Sequence, residues 1–200
     1  MKVLTVGASG TIGKAVVREL EADGVEVVKA SRNNSSVKVD ITSTESIKAM
    51  FKKVGKIDAL VATLGSAHFG SLEEMTPEQN QLAVNSKLLG QINLVLLGLS
   101  FIRDKGSITL TTGVLMDDPL VGAASAAMAN GGVRAFVKSA AIEMPRGIRI
   151  NSVSPTVLEE SIDKYGSLFA GFEPVKAKSV ALAFKKSIYG AQTGQSYNVY

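Results

Sequence analysis

Apolar runs of strand length alternate with longer stretches of helical period along the whole chain. Val3 to Val6 reads as a buried strand, and Thr11 to Ala22 as a helix whose Ile12, Ala15, Val16 and Leu20 share one face. Val25 to Ala30 and a short run at Val37 to Val39 read as strands. Ile47, Met50 and Phe51 mark a helix opened near Ser43 and Thr44, and Ala59 to Ala62 is strand again. A long helix is expected from Pro77, a favoured first-turn residue, to about Ile102. Beyond it the pattern gives a β-branched strand at Ser107 to Thr111 and a helix in the Ala-rich segment. A strand at Ile148 to Val153, a helix at Val180 to Ile188 and a last strand at Ser196 to Val199 complete it. Such β-α-β alternation implies parallel strands, right-handed crossovers and helices on both faces. The expectation is one α/β domain over residues 1–200, a doubly wound, Rossmann-like parallel sheet of about seven strands.

Composition narrows the chemistry. Hydrophobic residues make up 46% of the chain and charged ones 20%, a globular balance. With no Cys and a single histidine, His68, neither a thiolate nor a His-cluster metal site is expected. The net charge of +4 is modest, and the densest basic grouping, Lys176, Lys178, Lys185 and Lys186, has no interleaved aromatics. A nucleic-acid partner is therefore not expected. The most apolar run, Leu94 to Ile102, falls short of a spanning helix, and MKVLTV leads into a glycine motif without a cleavage pattern. Neither membrane association nor export is expected, which makes the cytoplasm the default location.

Between the first strand and first helix lies GASGTIG, Gly7 to Gly13. At that position Gly7 permits a tight turn, Gly10 lets the backbone approach phosphates and Gly13 lets helix and strand close together. The N–H groups of a helix start at Thr11 and Ile12 then face an anion, and Ser9 and Thr11 add hydroxyls. The second strand ends in Ser31 and Arg32, where sites that prefer NAD place an acid for the ribose 2′-OH. Without that acid a 2′-phosphate is not repelled, and a guanidinium can pair with it. NADP is the expected cofactor. Asp40 either accepts from an adenine amino group or caps the helix beginning near Thr42.

These segments together resemble the short-chain dehydrogenase/reductase family across nearly the whole chain. GASGTIG resembles its glycine loop, with the middle glycine one place early. VDIT, residues 39–42, resembles its adenine-contact motif and brings in Ile41 beside Asp40. GSLEEMTPEQ resembles the lead-in to the fourth helix, and AVNSK carries Asn85 at that helix's asparagine. GSITLTTG, RGIRINSVSP and TGQSYNV resemble the fifth, sixth and last strands. The NNAG turn is altered to ATLG, residues 62–65, of which Gly65 is kept as a cofactor contact. The resemblance implies a nicotinamide-dependent oxidoreductase, pairing into a homodimer or homotetramer through its fourth and fifth helices, and a lid at 156–175. Leu158, Ile162, Leu168, Phe169 and Phe172 give that lid an apolar underside.

The departures fall where the family keeps its chemistry. Gly113 stands at the serine place, Ala126 at the tyrosine place and Asn130 at the lysine place; all four Tyr lie beyond, and no Lys occurs between Lys105 and Lys138. No catalytic residue is therefore assigned; Asn85 is retained, as a water holder or as a partner for main-chain groups at a kink. Thr112, His68, Asp117, Asp118 and Tyr165 are the substitutes available nearby. The small residues of AASAAMANGG, 123–132, serve close approach, either to nucleotide or to the preceding helix. Three functions stay open: an NADP-dependent reductase of an unknown small substrate with another proton donor, an NADP(H)-sensing module, and a structural subunit.

Overall fold

A computed structural model describes all 200 residues. Seven strands form one parallel sheet in the order β3-β2-β1-β4-β5-β6-β7. They are β1 (Lys2–Val6), β2 (Glu26–Ser31), β3 (Val37–Lys38), β4 (Ile57–Ala62), β5 (Ile102–Thr111), β6 (Arg149–Pro155) and β7 (Ser196–Val199). The helices are α1 (Thr11–Ala22), α2 (Thr44–Val54), α3 (Pro77–Ala83), α4 (Gly90–Gly98), α5 (Ala124–Ala140), a short α6 (Ile162–Tyr165) and α7 (Ala177–Tyr189). The doubly wound fold is the expected one.

Each face of the sheet buries its own apolar layer. On one side Val3, Ala59, Val61 and Val153 meet Val16 and Leu20 of α1 and Val180 and Phe184 of α7. On the other, Leu4, Leu60, Ile108 and Ile150 meet Phe51 of α2, Leu94 of α4 and Val133 of α5. Phe51 and Phe184 are fully buried; burying a side chain of that size is worth roughly 1.5–3 kcal/mol. Helix starts follow their caps: Ser43 Oγ accepts from Ser46 N at 3.2 Å, and Thr76 and Gln79 form a reciprocal capping box.

Several elements depart from the sequence pattern. The long helix is a continuous helical stretch but not one α-helix. After α3 the turn widens into a π segment, Val84–Leu89, before α4, and Leu99–Phe101 finish as a tight 3-10 turn. By length and composition the stretch Pro77–Phe101 is apolar enough to cross a membrane, which corrects the shorter run read from the sequence. Here it is a face helix of the sheet: Leu94, Val95 and Gly98 are buried, and no side chain could replace the Gly98 hydrogen without entering the Phe51 ring.

The fifth strand also begins at Ile102 rather than Ser107. Ile102 pairs with Ile57 and Ser107 with Ala59, so the residues between bulge outward and Lys105 takes φ 60°. The polar RDKG sequence hides this first part of the strand. Arg103 bonds Asp58 at 3.0 Å, and Arg146 reaches the carbonyls of Leu99 and Ile102 at 2.7 and 2.8 Å. Helix α7 likewise starts earlier than Val180. The Glu160 carboxylate caps it from the segment before it, accepting from Ala177 N at 3.0 Å.

Candidate functional site

The strand order reverses at β1 and β4, and a hollow opens there at the strands' C-terminal ends, where open α/β sheets bind ligands. Gly7 sits at its base with φ 88°, and a side chain there would strike the Thr63 carbonyl. A Cβ on Gly13 would run into the Gly7 carbonyl and stand 2.9 Å from Ala8 Cα, so both glycines are required by the close approach of α1 to its turn. Gly10 is the N-cap of α1, without a side-chain cap, and no acid occupies the first turn. The helix start is thus left open to an anion.

Of the positions expected to hold a dinucleotide, Gly7, Ser9, Gly10, Ser31, Arg32, Asp40, Ile41 and Gly65 all line this hollow. Gly13 lies buried behind them. Thr11 and Ile12 do not line it, a correction for their side chains. Thr11 faces a neighbouring groove with Lys14 and Glu160, while Ile12 packs onto the apolar layer under α1, so only their backbones front the helix start. Ser31 is buried and turned toward its own loop: its hydroxyl donates to Ser35 Oγ at 2.8 Å and accepts from Asn34 N. Arg32 is exposed and in no ion pair of the chain.

The helix cap at this point is Ser43, which corrects the capping alternative for Asp40. Asp40 Oδ1 instead accepts from the N–H and hydroxyl of Thr42, at 2.9 and 2.8 Å. Those bonds hold its carboxyl below the usual range, helped by the Arg32 charge. Ile41 packs its side chain against Gly90.

Gly65 also lines a second cavity, of about 190 Å3, at the ends of β5 and β6. Thr112, Gly113, Ala126 and Asn130 are in its wall, so the places singled out along the chain do come together. Thr112 Oγ1 donates to the Val153 carbonyl at 3.3 Å, a strand-end role. Asn130 Nδ2 lies 3.1 Å from where a Cβ on Gly113 would stand, and its Oδ1 is buried without a partner. Phe169 lines one side and packs edge-on against Phe172, at 5.5 Å between centroids. Leu158 serves the α7 layer instead.

Other sequence candidates lie elsewhere. Asn85 is exposed on the π segment, accepting from Gln81 Nε2 at 2.8 Å, and lines neither space. The His68 ring folds over Gly70 and is absent from the cavity wall, as are Asp118 and Tyr165. Asp117 is engaged by Arg134 Nη1 at 2.6 Å. Among the small residues of α5, Gly132 serves close packing, since a Cβ there would meet Leu88 of the π segment at 2.8 Å, whereas Ala126 faces the cavity.

The residue that sequence reading missed is Lys87, two places after Asn85. It lines the cavity, and its stem lies directly on Gly65, whose φ of 122° and missing side chain make the room. Burial pushes its ammonium pKa down to about 8. The signal was present, because Lys87 is the only charged residue between Glu78 and Arg103. The wall behind it is rigid: the buried Gln91 amide donates to the carbonyls of Lys87 and Thr111 and accepts from Thr111 N, at 2.8–2.9 Å.

A parallel doubly wound sheet with a glycine cradle at its switch point defines a dinucleotide-fold oxidoreductase architecture. The family model described as enoyl-(acyl carrier protein) reductase matches residues 7–189, and the chain belongs to the short-chain dehydrogenase/reductase family, whose members bind nicotinamide cofactors. Among solved structures, the protein lin1944 from Listeria innocua is 62% identical over the full length of both chains, with a TM-score of 0.98. A small-chain dehydrogenase in complex with NADPH is 25% identical, with a TM-score of 0.90 over 100% of this chain and 96% of that one. The 3-oxoacyl-[acyl-carrier-protein] reductase FabG of Vibrio cholerae is 29% identical over 80% of this chain and 75% of its own.

Proposed function

We propose that the protein is an NADP(H)-binding oxidoreductase that works without the family's tyrosine and lysine. The observation that carries the cofactor assignment is the hollow itself, where Arg32 stands free beside Ser31 with no acid at the strand end. The NADPH complex of the 25% identical relative supports the same choice. The cradle fits: Gly7, Ser9, Gly10 and the open N–H groups of α1 would hold a pyrophosphate, Arg32 a 2′-phosphate, and Ile41 an adenine face. NADPH, when bound, would supply a hydride, and Gly65 is the residue at which hollow and cavity meet. Phe169 gives that meeting point an apolar wall.

The test is direct. NADPH is expected to bind more tightly than NADH, and Arg32→Ala to weaken NADPH about tenfold while leaving NADH unchanged, the scale of one charge-assisted pair. Equal affinities for the two nucleotides in calorimetry would remove the assignment. A second reading, an NADP(H) sensor without turnover, is favoured by Ala126 and Asn130, which offer neither phenol nor amine.

The assembly proposed with this reading is a homodimer, or a tetramer built from it, in the cytoplasm and without nucleic-acid or membrane partners. Leu82, Leu89 and Leu96 on the long helix and Met128 on α5 are exposed, Leu96 at 64%. Pairing these helices between copies would cover them. Leu96→Glu is expected to yield monomers in sedimentation; a wild-type protein already monomeric at working concentration would refute the pairing.

A further inference from the structure

The cavity beyond Gly65 contains one charged side chain and no counter-charge. Lys87 takes part in none of the chain's ion pairs, and its Nζ donates no hydrogen bond within the protein. None of the other side chains lining the cavity titrates. Burial alone accounts for the lowered pKa, with no opposing charge contributing. Lys87 is half-buried and its ammonium reaches solvent within the cavity, where no group of the protein competes for its protons. Two more polar atoms in the same wall are buried and unpartnered, Asn130 Oδ1 and Thr156 Oγ1. The rest is apolar, with Phe69, Val114, Leu115 and Phe169 prominent.

Such a wall is suited to a small apolar body with one oxygen that is, or becomes, negative. The Lys87 ammonium and the Thr156 hydroxyl can both donate to that oxygen, which gives each a partner that the protein alone does not supply. Lys87 is carried there by the widened turn of the π segment, a device that often marks functional positions in helices. Gln91 fixes that turn by binding the Lys87 carbonyl.

Resting on the reductase reading above, we infer that Lys87 holds the carbonyl oxygen of a small, apolar aldehyde or ketone and gives it a proton. Reduction of the carbonyl carbon by the bound reduced nicotinamide leaves the former π pair on oxygen. One Nζ–H bond of the ammonium breaks, its electron pair stays on nitrogen, and the proton forms the O–H bond of an alcohol. The neutral amine then recovers a proton from water. An amine whose pKa is near 8 is charged at neutral pH and still a good donor, the balance that proton transfer favours.

The test uses benzoate, whose carboxylate stands in for the developing oxyanion, on the intact protein and on Lys87→Met and Lys87→Arg. Wild type is expected to bind benzoate with an upward shift in the Lys87 titration, followed by NMR of the lysine Cε. Lys87→Met should weaken benzoate at least about tenfold and Lys87→Arg far less, as expected for loss of a charge-assisted contact. NADPH affinity, followed by fluorescence, should stay within about threefold in both. Equal benzoate binding in wild type and Lys87→Met, or an unmoved Lys87 titration, overturns the inference. Failure of wild type to bind NADPH is a separate result and sinks the cofactor assignment instead. In turnover of benzaldehyde and cyclohexanone, kcat should fall above pH 8 and drop about 100-fold in Lys87→Met. A wild-type protein that holds benzoate but reduces neither carbonyl overturns the role as donor.

Discussion

Replacing Lys87 by methionine should make the protein more stable at pH 7, by about 1–3 kcal/mol, with the gain fading as pH rises from 8 toward 10.5. The pKa of the folded-state ammonium, near 8, lies below the ordinary 10.5 because burial disfavours the charge. The unfolded chain therefore binds this proton more tightly, and between those two values the folded state has released it while the unfolded state has not. By linkage, stability rises with pH across that window. Below pH 8 both states carry the proton and the full penalty applies; above 10.5 neither does. Methionine has no such penalty and fills similar volume, so the difference between variant and wild type should be largest at or below pH 7. Thermal melting of both proteins between pH 6 and 10.5 measures it. A variant that melts below wild type at pH 7 would show that the ammonium has a stabilising partner, and that the cavity's chemistry has been misread. A side chain that weakens the fold yet lies in a ligand cavity is the pattern expected where activity and stability compete.

Gly13→Ala should do the opposite, losing at least about 2 kcal/mol of stability and most nucleotide affinity together. The added methyl would overlap the Gly7 carbonyl and stand 2.9 Å from Ala8 Cα, and both neighbours are backbone, which cannot swing aside like a side chain. Helix α1 would have to move off its turn, dragging the N–H groups of its first turn away from the hollow and loosening Val16 and Leu20 in the layer beneath. Overpacking of this kind typically costs 1–3 kcal/mol, and more where the obstacle is rigid. Urea unfolding and NADPH titration read the two effects separately. Full retention of both would mean that the turn is far softer than its contacts imply.

Much of this was legible along the chain. The boundaries of α1 and β7 follow directly from periodicity, because each is bounded by glycine or polar residues and repeats its own period cleanly. The hollow was legible too, since its residues come from loops at fixed places in a strand-turn-helix unit. What escaped depends on contacts distant in sequence. The first part of β5 is polar and is held by Asp58 and Arg146 from elsewhere. Lys87 escaped for a different reason: a regular helical count keeps it with its neighbours on the rod, and no local rule announces a wider turn. Asn85 attracted attention by resemblance, yet it points away while the residue two places on enters the cavity.

The six-residue π segment has a consequence for how this helix tolerates change. One residue more than an α-turn is accommodated there, so deleting any single residue from 84–89 would let the rod relax into uninterrupted α geometry. Because the wide turn absorbs that residue, the parts of the helix on either side would keep their faces relative to the sheet-anchored Leu94 and Val95, and the change would fall on Lys87 and its neighbours inside the turn. Length at this spot thus bears on the cavity more than on the fold: loss of one position within 84–89 should leave the helix packed on the sheet while taking Lys87 out of the cavity wall.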